Sequence, residues 1–94
     1  MRDKTIKKTS QQLERHFKGV ANHWRIDILD LVARREGIGV DDIADALKCN
    51  PKTISEHTRK LVHAGLVDKK YIGRIVAHSF SPYGKRIHAF LRTF

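Results

Sequence analysis

The helix signals within residues 41–65 constrain the fold of this chain more than any other feature of its sequence. Asp41 can cap a short helix whose apolar residues share one face. Those residues are Ile43, Ala44 and Leu47. Asn50 followed by Pro51 predicts a second helix start, because asparagine accepts hydrogen bonds from first-turn amides and proline has no amide to leave unpaired. The segment therefore predicts two helices joined by a three-residue turn, the second at 51–64.

Caps, glycines and apolar periodicity predict the other elements. Thr9 begins a Thr-x-x-Gln capping box, Asn22 can cap a further helix, and Gly73 marks a tight turn between two runs rich in β-branched residues. The predicted elements are helices 10–19 and 23–36, an extended segment 38–40, a helix from 41, helix 51–64, strands 66–72 and 75–80, and a helix from 82. This order predicts a mainly α fold with a small β-hairpin, α-α-β-α-α-β-β-α.

The net charge of +9 is unevenly distributed along the chain. Residues 1–20 carry six basic and two acidic side chains (+4), residues 21–50 four and six (−2), and residues 51–94 nine and two (+7). A merely solubilising surface would mix the signs, so the charge predicts an anionic partner. A membrane is a poor candidate, because no apolar run approaches the roughly 20 residues of a span and the basic helix has a narrow apolar face.

Two short helices followed by a hairpin with a basic tip form a helix-turn-helix with a wing. At about 100° per residue, helix 51–64 turns Ile54, Thr58 and Leu61 to one side and its cations to the other. Cations suit phosphates, and short polar side chains suit base edges. The residues expected to bind DNA are Lys52, Thr53, Ser55, Glu56, His57, Arg59 and Lys60 on the helix, with Lys69, Lys70 and Arg74 on the hairpin.

Three of these positions leave alternatives open. Glu56 can accept from a cytosine amino group, or it can pair within its helix with Lys52 or Lys60, four residues away on either side. His57 can pack against the preceding helix or reach the DNA backbone. Arg74 can enter a narrow minor groove, or it can lie solvated at the hairpin turn.

Several segments of the chain match one family of regulators in order and spacing. They are Asn22 to Leu29 (NHWRIDIL), Val40 to Leu47 (VDDIADAL), Thr53 to His57 (TISEH), Ala64 to Val67 (AGLV) and the pair Gly73-Arg74. Through them the chain resembles the winged-helix transcriptional regulators of the ArsR family, and SPYG at 81–84 resembles the start of the last helix in MarR proteins. The resemblance runs from Ala21 to about Leu91. It implies a dimer joined through the first and last helices that reads a pseudo-palindromic operator, usually as a repressor.

The metal ligands of that family are not matched. Metal-sensing members place a Cys-x-Cys pair at the start of the first motif helix, where this chain has Val-Asp-Asp at 40–42. Other members use ligands on the last helix, which here offers His88, with His78 on the preceding strand. We therefore expect no metal and no cofactor. The single cysteine, Cys49, is expected to be a small buried hydrophobic residue rather than a redox switch.

Apolar side chains on the first and last predicted helices can either complete the core of one chain or form a two-fold interface. They are Leu13, Phe17, Ile87, Phe90, Leu91 and Phe94. We expect the interface, because a domain this small would struggle to cover a stripe that ends in Phe90, Leu91 and Phe94. Residues 1–9 are expected to be a flexible basic tail, and residues 10–94 a single domain.

These observations predict a cytoplasmic, sequence-specific regulator of transcription that binds double-stranded DNA as a dimeric repressor. The alternative is a winged-helix module that contacts RNA or protein, although few aromatic side chains are available to stack on single strands. An enzyme is not expected, because the sequence has no glycine-rich phosphate loop, nucleophile motif or convergent carboxylate pair.

Overall fold

The computed structural model describes residues 7–94, and within them it contains five helices and one two-stranded antiparallel sheet. The elements are α1 (Ser10–Val20), α2 (His23–Arg34), α3 (Val40–Leu47), α4 (Pro51–His63), β1 (Val67–Ile72), β2 (Ile75–Phe80) and α5 (Pro82–Leu91). The predicted fold class is thus confirmed. The predicted tail at 1–9 falls mostly outside the described residues.

The helix starts depend on local hydrogen bonds that the sequence had indicated. Thr9 and Gln12 form both halves of the capping box. The Asn50 side chain accepts from the backbone amide of Lys52 at 2.7 Å, and Pro51 occupies the first helical position. Such caps satisfy amides that have no partner inside the helix, so they fix where each helix begins.

The predicted N-cap of α3, Asp41, was wrong by two residues. The helix begins at Val40, its N-cap is Gly39, and no side chain caps it. Ile38 forms an isolated antiparallel bridge with His78 of β2, so the extended backbone ends before Val40. Asp41 therefore lies in the first turn, where a carboxylate interacts favourably with the helix dipole instead of capping.

The core lies where α2, α3 and α4 pack together over the base of the hairpin and α5. Its fully buried side chains are Ile28, Leu29, Val32, Ile43, Ile54, Leu61, Leu66, Val67 and His78. Burial of Ile54, Thr58 and Leu61 confirms the predicted packing side of α4. Because that side is buried, the opposite side of α4 is held outward, towards solvent.

The hairpin is attached to the domain at its base and projects at its tip. The register pairs Val67 with Phe80 at the base and Ile72 with Ile75 beside the turn. The buried His78 donates from Nδ1 to the backbone oxygen of Ile38 at 2.9 Å, which ties β2 to the segment before α3. The wing therefore has a fixed position relative to the α3 and α4 pair.

Helix α5 returns across the domain and contacts α2. His88 donates from Nε2 to Asp30 at 3.2 Å, and this hydrogen bond, with the charge of Arg34 beside it, lowers the pKa of the Asp30 carboxyl group below its ordinary value. The contact links the last helix to the core helix, and it leaves the other side of α5 facing α1 and solvent.

Candidate nucleic-acid interface

The outward side of α4 carries the polar residues predicted to approach DNA. Lys52, Ser55, Glu56, Arg59 and Lys60 are all exposed. Thr53 is half-buried at the start of the same helix. Three cations and a hydroxyl are thereby presented on one exposed helix face, which can neutralise phosphates and reach base edges in a major groove.

A groove of about 410 Å³ lies between α4 and the wing. Its walls include Lys52, Ser55, Glu56 and Arg59 from α4 and Lys69 from β1. The structure thus brings four of the seven predicted helix residues together with one cation of the wing, and Thr53, His57 and Lys60 do not line this groove.

The other two wing residues lie elsewhere. Lys69 is paired with His78 and Lys70 with Ala77, and neighbouring residues of a strand point to opposite faces. Lys70 is therefore exposed on the face of the hairpin away from the Lys69 groove. Arg74 follows Gly73 at the hairpin tip and is also exposed.

The Glu56 carboxylate is not held in the intrahelical pair that the sequence had allowed. Of the ion pairs formed among residues 7–94, none joins it to Lys52 or Lys60. It lies in the wing groove instead. Its oxygens are therefore accessible to hydrogen-bond donors brought by a ligand.

His57 contacts α2 rather than solvent alone. Nη1 of Arg25 donates to its Nδ1 at 3.1 Å. Burial lowers the pKa of His57 below the ordinary 6.5, and the positive charges of Arg25 and Lys60 lower it further. The sequence had allowed packing against the preceding helix, α3, or a contact with the DNA backbone, whereas the hydrogen bond in the structure joins His57 to α2.

A second groove flanks α4 on the side opposite the wing, and the sequence did not predict it. It is formed by α1, α2 and the C-terminal half of α4, and its volume is about 540 Å³. The charged and titratable residues that line it are Arg15, Lys18, Arg25, Arg59, Lys60 and His63. Arg59 lines both grooves and so lies on the ridge between them.

The apolar residues expected at a dimer interface lie on a joint face of α1 and α5. Phe17 is 48% exposed and Phe90 49% exposed, whereas Ile87 is buried between them and the core. The three line one groove together with Leu13. Leu91 is half-buried, and Phe94 is exposed with its ring packed edge-on against Phe90.

His16 connects this apolar face to the end of α4. It is buried, it stacks on Tyr83 of α5 at 4.9 Å, and it donates from Nδ1 to the backbone oxygen of Ala64 at 2.6 Å. The Nζ atom of Lys8 lies over the Tyr83 ring, 3.9 Å from its centroid. No sequence pattern indicated this role, since the histidines of the chain show no regular spacing that would single out His16.

Within the described residues, no three His, Cys, Asp or Glu side chains lie close enough together to hold a metal ion. Cys49 is half-buried and packs against the core. None of the helices in the same range is long and apolar enough to cross a membrane.

Helix α3, the turn after it and α4 form a helix-turn-helix, and the hairpin beside α4 is its wing. This winged helix-turn-helix defines a class of DNA-binding transcriptional regulators. The family described as bacterial regulatory protein, arsR family, matches residues 23–69, which are 47 of the 94 residues. The chain belongs to this family. Family and fold are those of regulators of transcription rather than of enzymes. No curated protein matches the chain in sequence.

Solved structures agree with this assignment. The chain is 27% identical to the homodimeric winged helix-turn-helix DNA-binding domain of a possible ArsR-family regulator from Mycobacterium bovis, with a TM-score of 0.80 over 94% of this chain and 87% of that one. A crystal structure of a possible transcriptional regulatory protein from the same organism is 30% identical, with a TM-score of 0.78 and coverage of 88% and 89%. HlyU from Vibrio cholerae shares the fold, at 24% identity, a TM-score of 0.81 and coverage of 94% and 96%.

Proposed function

We propose that the protein is a homodimeric repressor that recognises a specific double-stranded DNA sequence with α4 and the wing. The observation that carries the proposal is the exposed polar side of α4, whose opposite side is fixed in the core by Ile54, Thr58 and Leu61. A rigidly held helix with cations on its free side can enter a major groove and neutralise the phosphates on both walls. Residues 10–94 form the DNA-binding domain in this proposal.

The residues of α4 divide into two roles. Lys52, Thr53, Ser55 and Glu56 belong to the first two turns, and the N-terminal part of a recognition helix contacts base edges. Glu56 has no partner in its own helix, and it is suited to accept from a cytosine amino group.

The remaining cations are assigned to the DNA backbone. Arg59 and Lys60 are exposed further along α4, and Lys69 faces the same groove from the wing. Arg74 is exposed at the hairpin tip, and we assign it to the adjacent minor groove, where negative potential is concentrated. His57 and Lys70 have weaker support as DNA contacts, because one is bonded to Arg25 and the other lies on the far face of the hairpin.

The dimer is supported by the apolar face of α1 and α5 and by the homodimeric domain from Mycobacterium bovis. Exposed aromatic side chains that cluster on one face are a usual sign of an interface. A two-fold dimer would present two copies of α4 to one side of a duplex and would favour a pseudo-palindromic site.

The experiment that tests this function is selection of binding sites from a pool of random duplexes, with single-stranded RNA as competitor. We expect an inverted-repeat duplex to be enriched and RNA not to displace it. The matched variants are Arg59→Ala with Lys60→Ala, which should weaken binding to all duplexes, and Glu56→Gln, which should change base preference. Duplex affinity that is unchanged in the double variant would contradict the assignment of α4.

Repression requires a second measurement. A protein that occupies a site overlapping a promoter blocks the polymerase, so run-off transcription from a template carrying the selected sequence should fall as the protein is added. Increased transcription would show activation instead. As a member of a family of DNA-binding regulators, the protein is proposed to act in the cytoplasm.

A further inference from the structure

The groove between α1, α2 and α4 is an unusual concentration of positive charge. We call it the cationic notch, and it is lined by Arg15, Lys18, Arg25, Arg59, Lys60 and His63, together with Gly19 and Ala64. No acidic side chain is among these lining residues. Like charges at such a concentration repel one another in the free protein, and a bound anion removes that repulsion.

The notch exists because α1 approaches α4 very closely. A Cβ atom added to Gly19 would lie 2.2 Å from the Cβ of Ala64, so only glycine permits the contact. His16 reinforces it with the hydrogen bond to the backbone oxygen of Ala64. The result is that Arg15 and Lys18, which are remote from α4 in sequence, stand beside Arg59 and Lys60.

Arg25 forms the fixed floor of the notch. Its Nε donates to the backbone oxygen of Gly19 at 2.6 Å, and its Nη1 donates to Nδ1 of His57. Nη2 takes part in neither hydrogen bond, and since no buried side-chain nitrogen or oxygen in the described part of the chain lacks a partner, Nη2 is open to solvent. A guanidinium held in one orientation is well suited to bind the oxygens of a phosphate.

We infer that the cationic notch is a phosphate-binding site that takes the DNA backbone on the flank of α4 opposite the wing. The inference rests on the proposed function. Arg59 lies on the ridge between the wing groove and the notch, so a duplex whose major groove holds α4 carries one strand past each side of that ridge. The wing cations meet one strand, and Arg15, Lys18 and Arg25 meet the other.

The test compares two double variants of the full chain. Arg15→Ala with Lys18→Ala removes two exposed cations of the notch. Of the two, Lys18 forms an ion pair with Glu14. Its control, Arg34→Ala with Arg35→Ala, also removes two exposed cations, one of them paired with Asp30, and neither lines a groove beside α4. Both variants lose the same net charge, so a difference between their DNA affinities depends on where the lost cations lie.

Affinity for the selected duplex is measured against salt concentration. Each phosphate that a variant no longer neutralises should make the slope of log K against log salt shallower by about 1, and should shrink the affinity ratio between about 50 and 200 mM salt about 4-fold. The notch variant should show this shallower slope and keep the base preference of the wild type. Ethylation of phosphates on one flank of the site should interfere with binding of the wild type but no longer with binding of the notch variant. The control should keep the slope of the wild type.

Three results would overturn the inference. The notch variant could keep the slope of the control, or it could change base preference. Alternatively, inorganic phosphate at constant ionic strength could bind the wild type but not the notch variant and leave the duplex affinity of the wild type unchanged, which would assign the notch to a free anion. Failure of the proposed function is distinct from these results, because the wild type would then select no duplex.

Discussion

At the scale of single residues, Gly84 has the closest neighbour of the chain's six glycines. A Cβ atom there would lie 1.8 Å from the backbone oxygen of Leu66 and 2.8 Å from its carbonyl carbon. These are backbone atoms beside β1, so they cannot move aside as a flexible side chain would. The close approach joins α5 to the base of the wing.

Gly84→Ala should therefore lower the free energy of unfolding by about 3 kcal/mol, although alanine is the better helix former. Denaturation by urea measures the change. The control is Lys85→Ala on the neighbouring exposed position, which should alter stability by no more than about 0.5 kcal/mol. Equal stability of the two variants would show that the backbone at Leu66 can move away from the added Cβ atom without a measurable cost in free energy.

His57 gives stability a defined dependence on pH. Burial and the positive charges of Arg25, Lys60 and His23 lower its pKa below 6.5, and only Glu56 acts in the opposite direction. The unfolded chain therefore takes up this proton more readily than the folded one. The stability associated with neutral His57 is present above pH 6.5 and is lost as the pH falls through the lower, folded-state pKa.

We expect the free energy of unfolding of the wild type to fall more steeply below pH 6.5 than that of His57→Gln, whose side chain does not titrate. Urea denaturation at a series of pH values gives both curves. Subtracting one from the other removes the contribution of the other histidines. Parallel curves would contradict the shifted pKa.

At the scale of elements, the turn between α3 and α4 contains a strained residue. Lys48 has φ of 53° and ψ of 48°, the left-handed conformation, and is exposed. The backbone needs this conformation to close α3 and to direct the chain into Asn50. For a residue with a Cβ atom this conformation costs about 1 kcal/mol, which glycine avoids.

Lys48→Gly should raise the free energy of unfolding by about 0.5 to 1 kcal/mol, less than the full strain because glycine also gives the unfolded chain more freedom. Lys48→Ala is the control, since it removes the same charge and keeps the Cβ atom. Thermal denaturation compares the two. A glycine variant no more stable than the alanine variant would show that the turn stores no strain.

The elements themselves were largely predictable, because their signals are local. Asn50 and Pro51 lie next to the amides they affect, and the packing side of α4 follows from helical geometry alone. The start of α3 was not predictable, since it depends on the bridge between Ile38 and His78, which are far apart in sequence.

The candidate site was predictable only in part, because some of its residues come together through contacts between segments that are far apart in sequence. The exposed side of α4 could be derived from its own residues. The notch could not, because Arg15 and Lys18 reach α4 only through the packing of Gly19 on Ala64. Spacing on one helix does not reveal which other helix will lie beside it. The separation of Lys69 from Lys70 followed from strand alternation and could have been predicted.

At the scale of the whole molecule, the surface divides into a charged side and an apolar one. The wing groove and the cationic notch adjoin at Arg59, whereas Phe17 and Phe90 lie on the face of α1 and α5. A single chain that exposes both aromatic rings leaves apolar area in water, and a second copy would remove it. The two surfaces meet at His16, which contacts Tyr83 of α5 and the end of α4.

Phe17→Ser with Phe90→Ser should therefore convert a dimer into a folded monomer. Each substitution occurs twice in a symmetric dimer, so about 1 kcal/mol for each of the four rings removed raises the dimer Kd roughly 10²-fold to 10³-fold. Sedimentation equilibrium measures that Kd, and circular dichroism verifies the fold. Tyr71→Ser with Ile75→Ser is the control, because it removes two large apolar side chains from the wing that are even more exposed than Phe17 and Phe90. A wild type that stays monomeric at high micromolar concentration, or a Phe17 and Phe90 variant that dimerises like the control, would mean that this face covers only its own core. The monomer should also lose affinity for the selected inverted repeat far more than for one half-site, since only the dimer holds two copies of α4 at the spacing of the repeat.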